Sequence, residues 1–224
     1  MFRRSRLGVV GTLVLLLLAV PATLLAQTTR LDTDRVSVVF GLSQIALGGA
    51  NVEVTYHTRR MVFAWSHGVS LELDGGVRSD DWKQQRISGR MPWTTGFGIG
   101  ARLTDGLDVR AEFKRHAFSM YPEQTAYRGA PLLQYLTTTA GVGAYYRWRP
   151  LANSQHALRG LVIVPSVRYW PNVSSTLAGD SAVFVHPITG LRHVHRAAAQ
   201  GIPGTNGLFV NASVGYTFGG ARRN

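Results

Sequence analysis

The sequence predicts an all-β protein, a closed antiparallel up-and-down barrel of eight strands that crosses a membrane. Three observations predict this fold. From about residue 35 onward, apolar and polar residues alternate with a period of two, which is typical of strands with two different faces. The segments between the predicted strands alternate between short and long. Aromatic residues are concentrated near the predicted strand ends, as they are at the two interfaces of a membrane.

Eight segments show the alternation, and we place them at residues 35–43, 51–57, 61–74, 95–103, 107–120, 139–149, 157–170 and 207–218. The fifth segment is the clearest, with an apolar face opposite a charged one: Leu107, Val109, Ala111 and Phe113 against Asp108, Arg110, Glu112 and Lys114. A soluble β-sandwich would bury an apolar inner face, so we expect the apolar faces to point toward lipid. The faces that bear charge or glycine are expected to line the barrel interior.

The predicted connections have two lengths. Those after the second, fourth and sixth strands have about 3, 3 and 7 residues, and those after the third, fifth and seventh have roughly 20, 18 and 36. Short turns at one end and long loops at the other are typical of outer-membrane barrels. The aromatic residues expected near the short turns are Tyr56, Phe63, Tyr146, Trp148, Tyr216 and Phe218. Those expected near the long loops are Trp93, Phe97, Tyr121, Tyr169 and Trp170.

The turn at residues 104–106 predicts the register of the fourth and fifth strands. Leu103 and Leu107 must share a face, so the loop between them holds an odd number of residues, and a left-handed Gly106 is expected to close it. That register places three glycines opposite three long polar side chains, namely Gly100, Gly98 and Gly96 opposite Arg110, Glu112 and Lys114. It also places Arg102 opposite Asp108, where we expect an ion pair.

The N-terminal residues 1–26 have the pattern of a secretory signal peptide. A start with three arginines precedes the uncharged run 7–20, and cleavage is expected after Ala26. The alternative is an uncleaved anchor, because residues 7–26 are long enough to span a bilayer. The predicted organisation is then a lead-in at 27–34, the barrel at 35–218 and a tail at 219–224.

Composition excludes several classes of protein. The chain has no cysteine, which excludes a lipoprotein anchor, disulfides and cysteine-based metal sites. Without the three arginines of the leader, the 24 Lys and Arg fall to 21, which against 12 Asp and Glu leaves a net charge of +9. An exported protein does not normally meet nucleic acid, so anionic lipid headgroups are the expected counter-charge.

In this pattern the chain resembles the small eight-stranded outer-membrane barrels of the OmpA-barrel and OmpX type. The most specific element is the last strand, in which Gly215, Tyr216 and Phe218 stand where the barrel-assembly machinery recognises its substrates in that family. The tail after Phe218 departs from the family, in which the aromatic residue is usually the last. The resemblance implies a Gram-negative outer membrane, contact with lipid and lipopolysaccharide, insertion by the assembly machinery, and no cofactor.

Two sets of charged residues are candidate sites. A charge network is predicted to fill the narrow interior: Glu53, Arg102, Asp108, Arg110, Glu112, Lys114 and Arg147. The alternative is a narrow passive pore for small solutes, whose excess arginine would favour anions. In the loop after the third strand, Arg78, Lys83, Arg86 and Arg90 can contact lipid phosphates, and ordinary surface charge explains them equally well.

An enzyme site is not expected. Some eight-stranded barrels modify lipid A, which needs a nucleophile, a base and an orienting carboxylate. His67, Ser70 and Glu72 supply these residue types on the third predicted strand. His67 and Ser70 differ in parity, however, and should face opposite sides of the sheet. Lipid A modification therefore remains the less favoured alternative.

A metal site is not expected either. His186, His193 and His195 lie in the longest loop and are residue types that bind zinc or copper. Arg192 and Arg196 flank them, which disfavours a cation. We therefore expect an outer-membrane protein with a structural or surface-interaction role and with its long loops displayed outward. The architectural alternative is a soluble periplasmic β-sandwich or a lipocalin-like binder.

Overall fold

The computed structural model describes residues 35–74, 78–123, 125, 127–154, 157–197 and 207–219. The predicted signal peptide, the lead-in at 27–34 and the tail beyond Gly219 lie outside the described residues. Within the described part of the chain, no helix is both long enough and apolar enough to span a membrane.

Eleven strands and two short α-helices form the described structure. In chain order they are β1 (Arg35–Gly41), α1 (Leu42–Ala46), β2 (Ala50–His57), β3 (Met61–Leu73), α2 (Asp80–Gln84), β4 (Ile87–Arg102), β5 (Leu107–Pro122), β6 (Leu133–Tyr146), β7 (Leu161–Tyr169), β8 (Asn172–Ser175), β9 (Ser181–Val185), β10 (Arg192–Arg196) and β11 (Leu208–Gly219). Two 3₁₀ turns cover Ala157–Gly160 and Ala178–Asp180.

Eight of these strands close into an antiparallel barrel. From β1 to β7 each strand pairs with the next, β7 pairs with β11, and β1 completes the ring by pairing with β11. The short β8 extends the sheet beside β6, and β9 and β10 form a separate hairpin. The predicted fold class, a closed up-and-down barrel of eight antiparallel strands, is confirmed.

The predicted register of β4 and β5 is also confirmed. Arg102 lies opposite Asp108, and Gly100, Gly98 and Gly96 lie opposite Arg110, Glu112 and Lys114. The prediction of a left-handed Gly106 is wrong, since Gly106 is not among the residues with positive φ. The Thr104 hydroxyl orders this turn, because it accepts the amide hydrogens of Gly106 and Leu107 at 3.2 and 2.9 Å.

The two faces of the barrel wall differ as the alternation predicts. On the outside, Phe97 and Phe113 are 64% and 55% exposed, whereas Asp108 on the inside is fully buried. Two aromatic assignments are wrong. Phe97 lies opposite Phe113 near the middle of β4 and not near the long loops, and Trp170 is only 2% exposed and lies inside the barrel. Trp170 follows the outward Tyr169 by one residue, so its parity turns it inward.

Several strand limits differ from the prediction. β4 begins at Ile87 and not at residue 95, and β6 begins at Leu133 and not at residue 139. A β-bulge between Arg90 and Thr94 changes the phase of the apolar–polar alternation in β4. The first residues of the strand therefore do not continue the pattern that begins at residue 95. The β3–β4 and β5–β6 connections, residues 74–86 and 123–132, are shorter than predicted. The β6–β7 connection covers residues 147–160 and is longer than both, so the prediction of a short connection after the sixth strand is wrong.

An apolar cluster fills the end of the barrel nearest the long loops. We call it the apolar plug, and its buried members are Leu71, Trp82, Ile87, Met91, Phe118, Met120, Tyr135 and Phe184. Trp82 comes from α2, whose N-cap Ser79 accepts the amide hydrogen of Trp82 at 3.3 Å. Phe184 comes from the β9–β10 hairpin. The helix and the hairpin therefore cover one end of the barrel.

The glycines opposite the long polar side chains permit a matched test. A Cβ at Gly100 would overlap the backbone carbonyl oxygen of Val109, whereas a Cβ at Gly98 would lie 3.4 Å from Glu112 Cγ, an ordinary contact. We expect Gly100→Ala to lower the free energy of unfolding by about 1–3 kcal/mol and Gly98→Ala to change it little. Urea unfolding in detergent measures both, and equal stabilities for the two variants would contradict the close approach at Gly100.

Candidate functional site in the barrel interior

The barrel interior contains a layer of buried charge. Nine described charged side chains are buried there, namely the cationic Arg35, Arg102, Arg110, Lys114, Arg147 and Arg168 and the anionic Glu53, Asp108 and Glu112. They are inside because alternate residues of a strand face the same side of a sheet. The cations outnumber the anions, so carboxylates alone cannot neutralise this layer.

Asp108 and Glu53 join two arginines into one cluster. Arg110 Nε lies 2.6 Å from Asp108 Oδ1, and Arg110 Nη1 lies 2.6 Å from Glu53 Oε1. The other oxygen of Asp108 accepts a hydrogen bond from Arg147, which also donates to His57 Nε2. Because a guanidinium can only donate, His57 accepts at Nε2 and its proton is on Nδ1. Paired charges thereby connect β2, β5 and the residue that follows β6.

Glu112 forms a second cluster with two aromatic residues. The Tyr145 hydroxyl donates to Glu112 Oε1 at 2.5 Å, and the Trp170 indole N–H donates to Oε2 at 2.7 Å. Lys114 Nζ lies 3.9 Å from Glu112 Oε1 and donates to the Ser66 hydroxyl at 2.7 Å. Both oxygens of this buried carboxylate therefore have donors, as a charge removed from water requires.

Aromatic faces hold part of the surplus positive charge. Arg110 Cζ lies 3.7 Å from the Tyr145 ring centroid, and Arg168 Cζ lies 4.7 Å from it. Arg168 is also 5.1 Å from the Trp170 ring, and Lys114 Nζ is 4.5 Å from that ring. A cation over an aromatic face is attracted by the ring quadrupole. The interior thus combines ion pairs with cation–π contacts.

The structure brings together six of the seven residues predicted to form the interior network. Glu53, Asp108, Arg110 and Arg147 form the first cluster, and Glu112 and Lys114 belong to the second. The seventh, Arg102, lies near the short turns, where its guanidinium is 3.0 Å from Asp105 Oδ1 and donates to the Thr58 carbonyl at 2.7 Å.

The hydrogen bonds of Tyr145 and Trp170 to Glu112 were not predicted from the sequence. Their inward parity was the available signal, since both differ in parity from the outward residues beside them, Tyr146 and Tyr169.

Most of the basic residues predicted to contact lipid phosphates have partners within the protein. Arg78 lies 2.7 Å from Glu123 and 3.5 Å from Asp74. Arg86 lies 3.7 Å from Glu123, and Lys83 lies 3.2 Å from Asp80. The fourth residue, Arg90, lies opposite Glu72 in the β3–β4 register. Carboxylates therefore already offset much of this positive charge.

The three loop histidines have structural roles. His186 Nδ1 accepts the amide hydrogens of Ile188 and Thr189 at 3.3 Å, and its Nε2 donates to the Arg86 carbonyl at 3.1 Å. His195 Nε2 is 2.9 Å from the Tyr135 hydroxyl, and burial lowers the pKa of His195 to about 4. His193 stacks on the Phe184 ring. Within the described ranges, no group of three potential ligand side chains is arranged to hold a metal ion.

The residues of the predicted assembly signal lie on β11. Phe218 is exposed on the outer face, and its ring is 4.8 Å from that of Tyr216. The Tyr216 hydroxyl donates to the Ala157 carbonyl at 2.5 Å, and Gly215 pairs with Val39 of β1. The three residues therefore lie on the strand that closes the barrel.

No protein-family model matches the chain, and no curated protein matches it.

The pairing of Asp108 can be tested by substitution. We expect Asp108→Leu to lower the free energy of unfolding by about 3–5 kcal/mol, because it leaves Arg110 and Arg147 short of a buried partner. The matched control is Asp80→Leu, which removes a solvent-exposed pair with Lys83 and should cost less than about 1 kcal/mol. Denaturant unfolding in detergent compares the two, and a similar small loss in both would contradict the role given to Asp108.

Proposed function

We propose that the chain is an outer-membrane β-barrel protein with a structural or surface-interaction role, of the small OmpA-barrel and OmpX type. The observation that supports this most is the reversal of the soluble pattern, with charged side chains buried inside the barrel and large apolar side chains exposed outside. Only a solvent less polar than water favours that arrangement, and lipid is such a solvent.

The exposed apolar surface surrounds the barrel. Every one of the eight barrel strands contributes to it, with Val36, Tyr56, Trp65, Phe97, Phe113, Tyr146, Val167 and Val210 as one member from each. Soluble monomers expose apolar patches of only a few hundred Å², not large apolar side chains on every strand around a barrel. The exposed apolar surface therefore supports a membrane barrel over a soluble binder.

The packed interior supports a closed scaffold over a passive pore. The Tyr145 ring contacts the guanidinium groups of both Arg110 and Arg168, and the apolar plug occupies the end near the long loops. The interior carboxylates are paired with arginine, lysine, tyrosine and tryptophan side chains, so none is positioned as a free base for catalysis. In this proposal the protein is accordingly not an enzyme.

The β9–β10 hairpin supports a surface-interaction role. One face packs Phe184 into the apolar plug, while the other exposes Val183 and Val194, which are cross-strand neighbours and are 50% and 59% exposed. In an outer-membrane barrel the long loops face the outside of the cell. The hairpin would therefore be displayed there.

Lipid and lipopolysaccharide are the proposed surroundings, and the barrel-assembly machinery is the proposed partner during insertion.

A charge on the outer face tests the proposal. Phe113 lies within the apolar band, so we expect Phe113→Arg to lower the stability of the protein in lipid vesicles by about 2–4 kcal/mol. The control is Val183→Arg, which places the same charge on the exposed face of the hairpin and should have little effect. Urea titration in vesicles, followed by the gel mobility of unboiled samples, measures both.

The opposite result would also be informative. Equal stability of Phe113→Arg and the unmodified protein would mean that the outer face contacts water, and the membrane proposal would then fail.

A further inference from the structure

A row of polar residues crosses the apolar outer face of the barrel. His67 lies opposite Thr95, Thr95 opposite Arg115, and Arg115 opposite Thr138, so the four are neighbours on four adjacent strands. All four alternate with buried residues and point outward, and Arg115 is exposed. We call this set the polar row.

An apolar row lies beside it on the same strands. Two positions closer to the short turns, its members are Trp65, Phe97, Phe113 and Ala140, again cross-strand neighbours. Two positions along a strand correspond to about 6.6 Å. A single lipid molecule can therefore contact both rows at once.

The height of Arg115 on the barrel is informative. Arg115 is eight residues along β5 from Leu107, which begins the strand at the short turn. That separation is about 26 Å along a strand and about 20 Å along the axis of a barrel whose strands tilt by about 40°. Apolar bands of membrane barrels are about 25 Å tall. Arg115 therefore lies near the edge of the band on the long-loop side, where lipid phosphates are found.

Arg115 carries a charge that no carboxylate in the described part of the chain offsets. Among the residues that the structure describes, no carboxylate lies within ion-pair distance of Arg115. The next outward positions toward the long loops are apolar: Val69, Trp93 and Leu136 are at least partly exposed, and Ala117 is covered. In this respect Arg115 differs from Arg78 and Arg86, which both contact Glu123.

The other members of the row can add hydrogen bonds. The His67 ring stacks parallel to the Trp65 ring, with the two ring centroids 6.0 Å apart, and an imidazole nitrogen can hydrogen-bond to a phosphate oxygen. Thr138 contributes a hydroxyl. The Thr95 hydroxyl already donates to the Ser66 carbonyl at 3.3 Å.

We propose that the polar row binds a phosphate group of lipid A in the outer leaflet. Arg115 pairs with the phosphate oxygens, His67 and Thr138 donate hydrogen bonds, and the acyl chains lie along Trp65, Phe97 and Phe113. The inference rests on the proposed membrane function. Lipid A is the chosen occupant because the long-loop side faces the leaflet that contains it.

The test compares two arginine substitutions in the full-length protein purified in detergent. Arg115→Gln removes the proposed contact, and Arg59→Gln removes an exposed arginine from the β2–β3 turn at the opposite end. Binding of purified lipid A is measured by native mass spectrometry. We expect Arg115→Gln to weaken binding about fivefold and Arg59→Gln to leave it unchanged. Equal affinities of the two variants would overturn the site.

A second lipid identifies the source of the phosphate. Phosphatidylglycerol should bind less tightly than lipid A and should be less sensitive to Arg115→Gln, and equal binding of the two lipids would overturn lipid A as the occupant. The gel mobility of each protein before and after boiling shows whether a folded barrel is present. If the barrel is folded and Arg115→Gln does not change its affinity for lipid A, the proposed site is wrong while the membrane function stands. If no folded barrel is present, the proposed membrane function is wrong as well.

Discussion

The burial of ionised side chains is the constraint on which the rest of this structure depends. An ion that leaves water loses several kcal/mol of hydration unless a partner of opposite charge and further hydrogen bonds replace it. Asp108 meets this requirement by binding Arg110 and Arg147, and Glu53 extends the cluster across the barrel to β2. Since each of these residues is on a different strand or a different level, the strands must keep their register for the charges to pair.

Register, glycine placement and aromatic packing all follow from that requirement. Glycines on β4 face long side chains on β5, which leaves those side chains room to reach their partners. Tyr145 and Trp170 supply both hydrogen-bond donors to Glu112 and ring faces for Arg168. Because most of the polar side chains of the strands point into the interior, the outer face consists mainly of apolar residues, and lipid is the surrounding that suits it.

The sequence predicted the fold class and the face of most residues because the side-chain period of a strand is two. It predicted the β4–β5 register because only an odd loop keeps Leu103 and Leu107 on one face. It missed the start of β4, since a bulge there changes the phase of the alternation. It also misplaced Trp170, whose neighbour Tyr169 does face outward. Contacts such as Tyr145 with Glu112 depend on tilt and rotamers, which periodicity does not specify.

The central claim is that this barrel folds in a membrane with its charges inside. The most direct measurement is the gel mobility of the full-length protein, before and after boiling, in membranes that have been washed with urea. The account predicts that the protein stays with the membranes and that the unboiled protein migrates differently from the boiled one. Release by the wash, together with a mobility that boiling does not change, would contradict it.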